Sequence, residues 1–229
     1  MEDQERLEDI GVHLSLKDKV YRRLRFQIIS GKFSPGMRLR ESELSEIMKI
    51  SRAPIREALN MLELEGFVTI FPRKGAIVSK IAKDEVENIW EIRALLEPYA
   101  ARNEVFNFQE NEIIEIENRL KKLLEEPYDF SEYMSSDLEL HGLLYKHLNN
   151  KILKEIIEMV RLSSLRILNF TEGQSAFSKE IAFSDLNEHL QIIEALKTRD
   201  PERAAASVYI HIMNSKQRII QALEQKKDI

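Results

Sequence analysis

The chain has 229 residues, of which 43% are hydrophobic and 32% charged; it has only seven glycines and no cysteine. The apolar content excludes wholesale disorder, the scarcity of glycine favours helices, and the missing thiols exclude disulfides, thiolate metal sites and cysteine nucleophiles. A net charge of -5 conceals a basic segment, because residues 13–80 hold 14 Lys and Arg against 7 Asp and Glu, a pattern that suits a polyanionic partner for that segment alone.

Residues 1–12 carry five acids and one arginine and read as a flexible arm. They lack the basic and apolar parts of a secretory leader. No apolar run approaches the ~18 residues that cross a bilayer. A soluble, cytoplasmic protein with no membrane partner is therefore expected. The spacing of Val20, Leu24, Ile28 and Ile29 predicts a helix over 16–30, closed by Gly31. Pro35-Gly36 marks a turn. A short helix is expected over 42–48, with Leu44, Ile47 and Met48 inward, and a third over 52–65, ended by Gly66. In that third helix Ser51 is a candidate N-cap. With Pro54 at the third helical position, its hydroxyl would have to take the Ala53 N–H. Ile55, Leu59 and Leu62 form the apolar stripe, and Arg52 and Arg56 share another face. Two β-rich runs, 67–71 and 76–79, flank a turn over 72–75 and predict a hairpin. Three helices followed by a hairpin is the layout of a winged helix-turn-helix over 13–80.

A linker is expected over 81–83. Beyond it no strand signal occurs, and an all-helical antiparallel bundle is expected over 84–229, with helices at 84–105, 110–125, 130–149, 151–170, 178–198 and 201–225. Pro98 falls inside the first of these and predicts either a kink or a restart. The fold class is thus mostly α, with one small wing.

Two constellations carry chemistry. Arginines at the start of an exposed helix suit the major groove, where a guanidinium can bridge O6 and N7 of guanine. The same two arginines could instead be solvated or paired with nearby acids. In the bundle, Asp137 and His141 stand four apart on one helix, and His189 and His211 lie on the last two. One carboxylate and three imidazoles suit a divalent ion, with zinc, nickel, cobalt or manganese all compatible. Spacing alone equally describes hydrogen-bonded core histidines. His147 lies about 240° from His141 on the helical wheel and is left out. Asp185, four before His189, could orient that imidazole or cap a helix.

The stretch RLRESELSEIMKISRAPIREALNMLELEGFVTIFPRKGAIVS resembles the winged-helix domain of the GntR family of bacterial transcription regulators over about 14–80. That resemblance implies DNA contacts by Arg40, Arg52 and Arg56, with Lys74 and Gly75 at the wing tip reaching the minor groove. Where the family often has glycine between the two helices, this chain has Lys49. If that position needs positive φ, the lysine costs on the order of 1 kcal/mol. Residues 84–229 resemble the FCD ligand-binding domain of the FadR subfamily, through EIRALLEPYAAR, SSDLELHGLLYKHLNN, EHLQIIEALKTRDPERA and His211. This implies a metal held by Asp137, His141, His189 and His211, and an anion-binding role for Arg93 towards a small carboxylate effector. The alternative for Arg93 is an ion pair with Glu97. Gly142 beside His141 departs from the bulkier residue usual there.

The resemblance further implies a homodimer, joined mainly through the winged-helix region and adjacent helices, on a palindromic operator and more commonly a repressor than an activator. Two rivals remain at this level: a regulator that senses the metal ion itself, and a metal-dependent bundle enzyme. The chain has no H-E-x-x-H, no paired Glu-x-x-His, no G-x-S-x-G and no phosphate-binding glycine loop to support the second.

Overall fold

A computed structural model describes residues 14–72, 75–125, 127, 129–172 and 178–227. The expected arm over 1–12 and the wing-tip Lys74 lie outside them. The chain divides into two compact units, Met1–Lys80 and Ile81–Ile229.

In the first unit α1 (Leu16–Ile29), α2 (Glu41–Met48) and α3 (Arg52–Leu64) stand beside a small sheet of β1 (Arg38–Leu39), β2 (Val68–Phe71) and β3 (Gly75–Val78). Ser15 caps α1 by accepting from the Asp18 N–H. The core is the stripe the spacing predicts: Val20, Leu24 and Ile28 from α1 meet Ile55, Ala58, Leu59 and Leu62 from α3. The sheet closes one side with Leu39, Val68, Ala76 and Val78. β3 is its middle strand, paired antiparallel with β2 (Thr69 opposite Ile77) and with β1 (Leu39 opposite Ala76).

Three local expectations fail here. β1 lies in a segment read only as a turn, because a two-residue strand has no periodicity to detect. The Ser51 hydroxyl makes no cap bond, although its backbone has N-cap geometry; with Pro54 lacking an N–H, the usual third-position donor is gone. Ile47, expected inward, is 70% exposed, since so short a helix covers its core with Leu44 and leaves Met48 only partly covered.

Of the positive-φ positions in the first unit, Lys49 and Gly75 are the most constrained. Lys49 ends α2 in the left-handed region, at φ 54°. Lys49→Gly is therefore expected to stabilise the unit by up to about 1 kcal/mol in urea unfolding; no gain would show that the lysine stem repays its strain. Gly75 has φ 85°, and a Cβ there would stand 2.8 Å from the Leu39 carbonyl oxygen. Gly75→Ala should then cost on the order of 1–3 kcal/mol and loosen the β1–β3 pairing, seen as faster amide exchange at Val78. Unchanged exchange would refute it.

Every regular element among the described residues of the second unit is a helix: α4 (Lys83–Glu104), α5 (Glu110–Glu125), α6 (Phe130–Lys146), α7 (Lys151–Glu172), α8 (Ser178–Lys197) and α9 (Pro201–Lys227). α4 packs along α9 and also against α6 and α7; α8 lies between α5 and α9. Asp129 caps α6 by accepting from the Ser131 and Glu132 N–H groups. Asp200 does the same for α9, where Pro201 takes the first helical position without loss. α4 runs through Pro98 with no restart, and α6 stops at Lys146 rather than 149. Trp90 on α4 is fully buried, and its indole N–H donates to the Ser215 hydroxyl on α9 at 3.2 Å. α4 mixes apolar and charged residues on its buried face, with Val86, Trp90, Ala100 and Ala101 inward. It buries Arg93 and Glu97 and exposes Ile92, Leu95 and Tyr99.

Candidate DNA-reading surface and metal centre

In the first unit α2, the start of α3 and the wing enclose a cleft of about 540 Å³, lined by Arg38, Arg40, Arg52 and Arg56 together with Glu41, Asn60, Pro72 and Gly75. The described DNA-contact candidates Arg40, Arg52, Arg56 and Gly75 therefore share one concave surface. Arg40 pairs with Glu43 at 2.6 Å. Arg56 Nε and Nη2 donate to the two Glu41 carboxylate oxygens at 2.8 and 2.7 Å. The Arg56 hydrogen bonds lower the Glu41 pKa. Arg52 is exposed and acts on the same Glu41 carboxylate through space only.

In the second unit the four residues picked out as metal ligands converge. His141 Nε2 is 3.1 Å from His211 Nε2 and 3.6 Å from Asp137 Oδ1, and His189 Nε2 is 3.8 Å from the same oxygen. All four are buried, His141 and His189 completely. Neither ring nitrogen of His189 has a hydrogen-bond partner. Burial pushes its pKa down to about 4, against the pull of Asp185, so the ring is neutral and its lone pair free. A buried imidazole with two idle nitrogens is costly as plain core. The donor set of nitrogen and carboxylate oxygen fits a borderline divalent ion, and His141, His189 and His211 together could hold one.

Behind two of these imidazoles stand partners of the same kind, a glutamate backed by an arginine. His141 Nδ1 is 2.5 Å from Glu97 Oε2, and Arg93 Nε donates to Glu97 Oε1 at 2.7 Å. His211 Nδ1 is 3.0 Å from Glu188 Oε2, and Arg218 Nη1 donates to Glu188 Oε1 at 2.7 Å. Each arrangement runs arginine, carboxylate, imidazole, which fixes the tautomer and turns Nε2 towards the cluster. Burial raises the Glu188 pKa, but the bonds from His211 and Arg218 outweigh it and hold it down at about 2.

Asp185 is well inside α8, which removes the cap reading. It accepts from the Tyr133 hydroxyl at 2.9 Å, contacts Arg218, and sits 3.4 Å from His189 Nε2. His147 is elsewhere, 3.0 Å from Glu112. Gly142 has nothing within 4 Å of where a Cβ would be, so a larger residue would fit. Arg93 is in the ion pair weighed as its alternative, but buried rather than exposed, at 4% side-chain accessibility. Its guanidinium also lies 5.2 Å from the Trp90 ring. Glu188 escaped sequence reasoning altogether, since its partners His211 and Arg218 lie on another helix and no spacing links them.

Comparison with known proteins decides the family. The model of "Bacterial regulatory proteins, gntR family" matches residues 16–78, and that of the FCD domain matches 88–214. The chain belongs to the GntR family and carries an FCD domain. The Nta operon transcriptional regulator of Aminobacter aminovorans is 31% identical over 196 residues, covering 85% of this chain and 90% of that one. The regulator YdhC of Bacillus subtilis is 29% identical, covering 91% and 92%. The solved structure of E. coli McbR/YncC superposes with a TM-score of 0.76 at 24% identity, over 91% of this chain and 98% of that one. The first unit is thus the GntR winged helix-turn-helix and the second the helical FCD domain. As a GntR/FCD protein the chain is a transcriptional regulator and not an enzyme. No helix among its described residues is long and apolar enough to cross a membrane.

Proposed function

We propose that this regulator is a repressor that binds a palindromic operator as a homodimer, in the cytoplasm, and is released by a small carboxylic acid bound beside a divalent ion, zinc foremost. The observation that carries the reading is the convergence of Asp137, His141, His189 and His211 around one buried point, with neither ring nitrogen of His189 hydrogen-bonded. Bound there, the ion supplies a positive centre that draws a carboxylate. Arg93 contributes the second attraction: its Nε is engaged by Glu97 and its Nη2 lies 3.4 Å from His141 Nδ1, which leaves Nη1 for the acid. The exposed Ile92, Leu95 and Tyr99 on α4 repeat at helical spacing and support self-association. Repression needs only occupancy of the DNA, whereas activation needs a further surface for polymerase.

On the DNA side Arg40, Arg52 and Arg56 contact the duplex, with α3 in the major groove, and Lys74 and Gly75 reach the minor groove. A palindrome follows from two-fold symmetry, one half-site per recognition helix. Arg56→Ala is expected to weaken operator binding by about 1–3 kcal/mol and random-duplex binding less; equal losses would make Arg56 a phosphate contact only.

The reading as a whole is tested by gel shift on the DNA upstream of the protein's own gene, with metal-loaded protein and a panel of small carboxylates. A specific shift that one acid weakens supports it. A shift indifferent to every acid but reversed by a chelator would make the ion itself the signal.

A further inference from the structure

We propose that Glu41 is the positioning residue that makes Arg56 a reader of guanine and keeps it from serving as a general phosphate clamp. The proposal rests on the assignment of Arg56 to a base contact, and deepens it. Arg56 leaves α3 with 63% of its side chain exposed, while Glu41, at the first position of α2, is 26% exposed and lies on its inner side. The carboxylate takes the guanidinium side-on, through Nε and Nη2. A guanidinium has five N–H bonds, and this fork uses two of them. The two on Nη1 and the second on Nη2 remain along the outer end. That end is the edge that spans O6 and N7 of a guanine. Glu41 and a guanine can therefore hold Arg56 at the same time, on different edges.

The charge balance separates a base from a phosphate. Together Glu41 and Arg56 are neutral, so a phosphate brought to Arg56 also meets the Glu41 carboxylate and gains little. A base edge is uncharged and meets no such opposition. Arg52, one turn earlier on the same helix, is exposed and meets the Glu41 carboxylate only through space, without the hydrogen bonds that tie Arg56 to it, so it keeps more of its charge for the backbone than Arg56 does. The two arginines of one face thus divide the work. Glu41 also fixes the long side chain before DNA arrives, so less rotamer freedom is lost on binding.

The test uses the full-length protein. Wild type first selects its preferred sequence from a pool of random duplexes. Affinity for that sequence and for a scrambled duplex is then measured across a salt series for wild type, Glu41→Gln and Glu41→Asp. Glu41→Gln keeps the size of the side chain but removes its charge. It should bind the scrambled duplex more tightly, with a salt slope steeper by roughly 0.9. Its preference for the selected sequence should fall about tenfold, with the loss concentrated at one guanine per half-site. Glu41→Asp keeps the charge but draws the carboxylate back. It should lose the preference while leaving the salt slope as in wild type, a separation that mere stapling of α2 to α3 would not produce. A preference within twofold of wild type in both variants overturns the proposal. If wild type itself selects no sequence, the base-reading assignment of Arg56 falls, and this inference with it.

Discussion

Alanine at His189 or at His211 is expected to strip the bound ion and lower the melting temperature of the metal-loaded protein by roughly 10 °C. Saturation at a thousand times the dissociation constant stabilises a folded protein by about 4 kcal/mol. For a domain of this size each kcal/mol moves the midpoint by about 2–4 °C. Both rings belong to the cluster, with His211 Nε2 at 3.1 Å from His141 Nε2 and His189 at 3.8 Å from Asp137. Removing either leaves a three-donor remnant. A buried His→Ala change also opens a cavity and lowers the midpoint by itself, so elemental analysis decides. His147→Ala is the control, because that ring sits against Glu112 and away from the cluster. Full metal content in His189→Ala would dismiss the site.

Arg93→Leu is expected to destabilise the second unit by about 3–5 kcal/mol, the usual cost of leaving a buried charge without its partner. The same pair on an exposed helix would be worth only ~0.3–0.5 kcal/mol. Burial makes the difference, since the Arg93 and Glu97 side chains are 4% and 1% accessible. Glu97, no longer held by Arg93, would lose its fixed position against His141 Nδ1, so the imidazole would be less well aimed and metal content should fall together with stability. The double variant Arg93→Leu, Glu97→Leu removes both charges and should recover much of the loss. Urea unfolding of the two singles and the double closes the cycle; a single-variant loss under about 1 kcal/mol would show that water reaches the pair. It follows that Arg93→Leu cannot isolate an effector contact. Arg93→Lys can, because it keeps a charge for Glu97 while giving up the planar fork.

Much of this architecture is legible in the residues. The apolar stripe of α3, the Asp200-Pro201 start of α9 and the wing are each set by neighbours within a few positions. So is the pairing of Asp137 with His141, one helical turn apart. What stays hidden is long-range. β1 exists only because β3 passes beside it. Glu41 meets Arg56 across two helices, and Glu188 meets His211 and Arg218 across another two. α4 misleads in a different way: a chemist reading polarity would turn Ile92 and Leu95 inward and Arg93 outward, and the protein does the reverse. The reason is that the middle of α4 packs Arg93 and Glu97 against the histidine cluster, while Val86, Trp90 and Ala100 keep to an ordinary apolar core.

Trp90 is the chain's sole tryptophan, so every photon of indole emission comes from one fully buried position between α4 and α9. The ring lies 5.2 Å from a guanidinium whose carboxylate partner holds a cluster imidazole. The protein thus carries its own optical probe, linked to the candidate centre by contacts through Arg93 and Glu97, with no second fluorophore of that kind to subtract. Occupation of the centre, or its collapse, becomes readable in real time without a label.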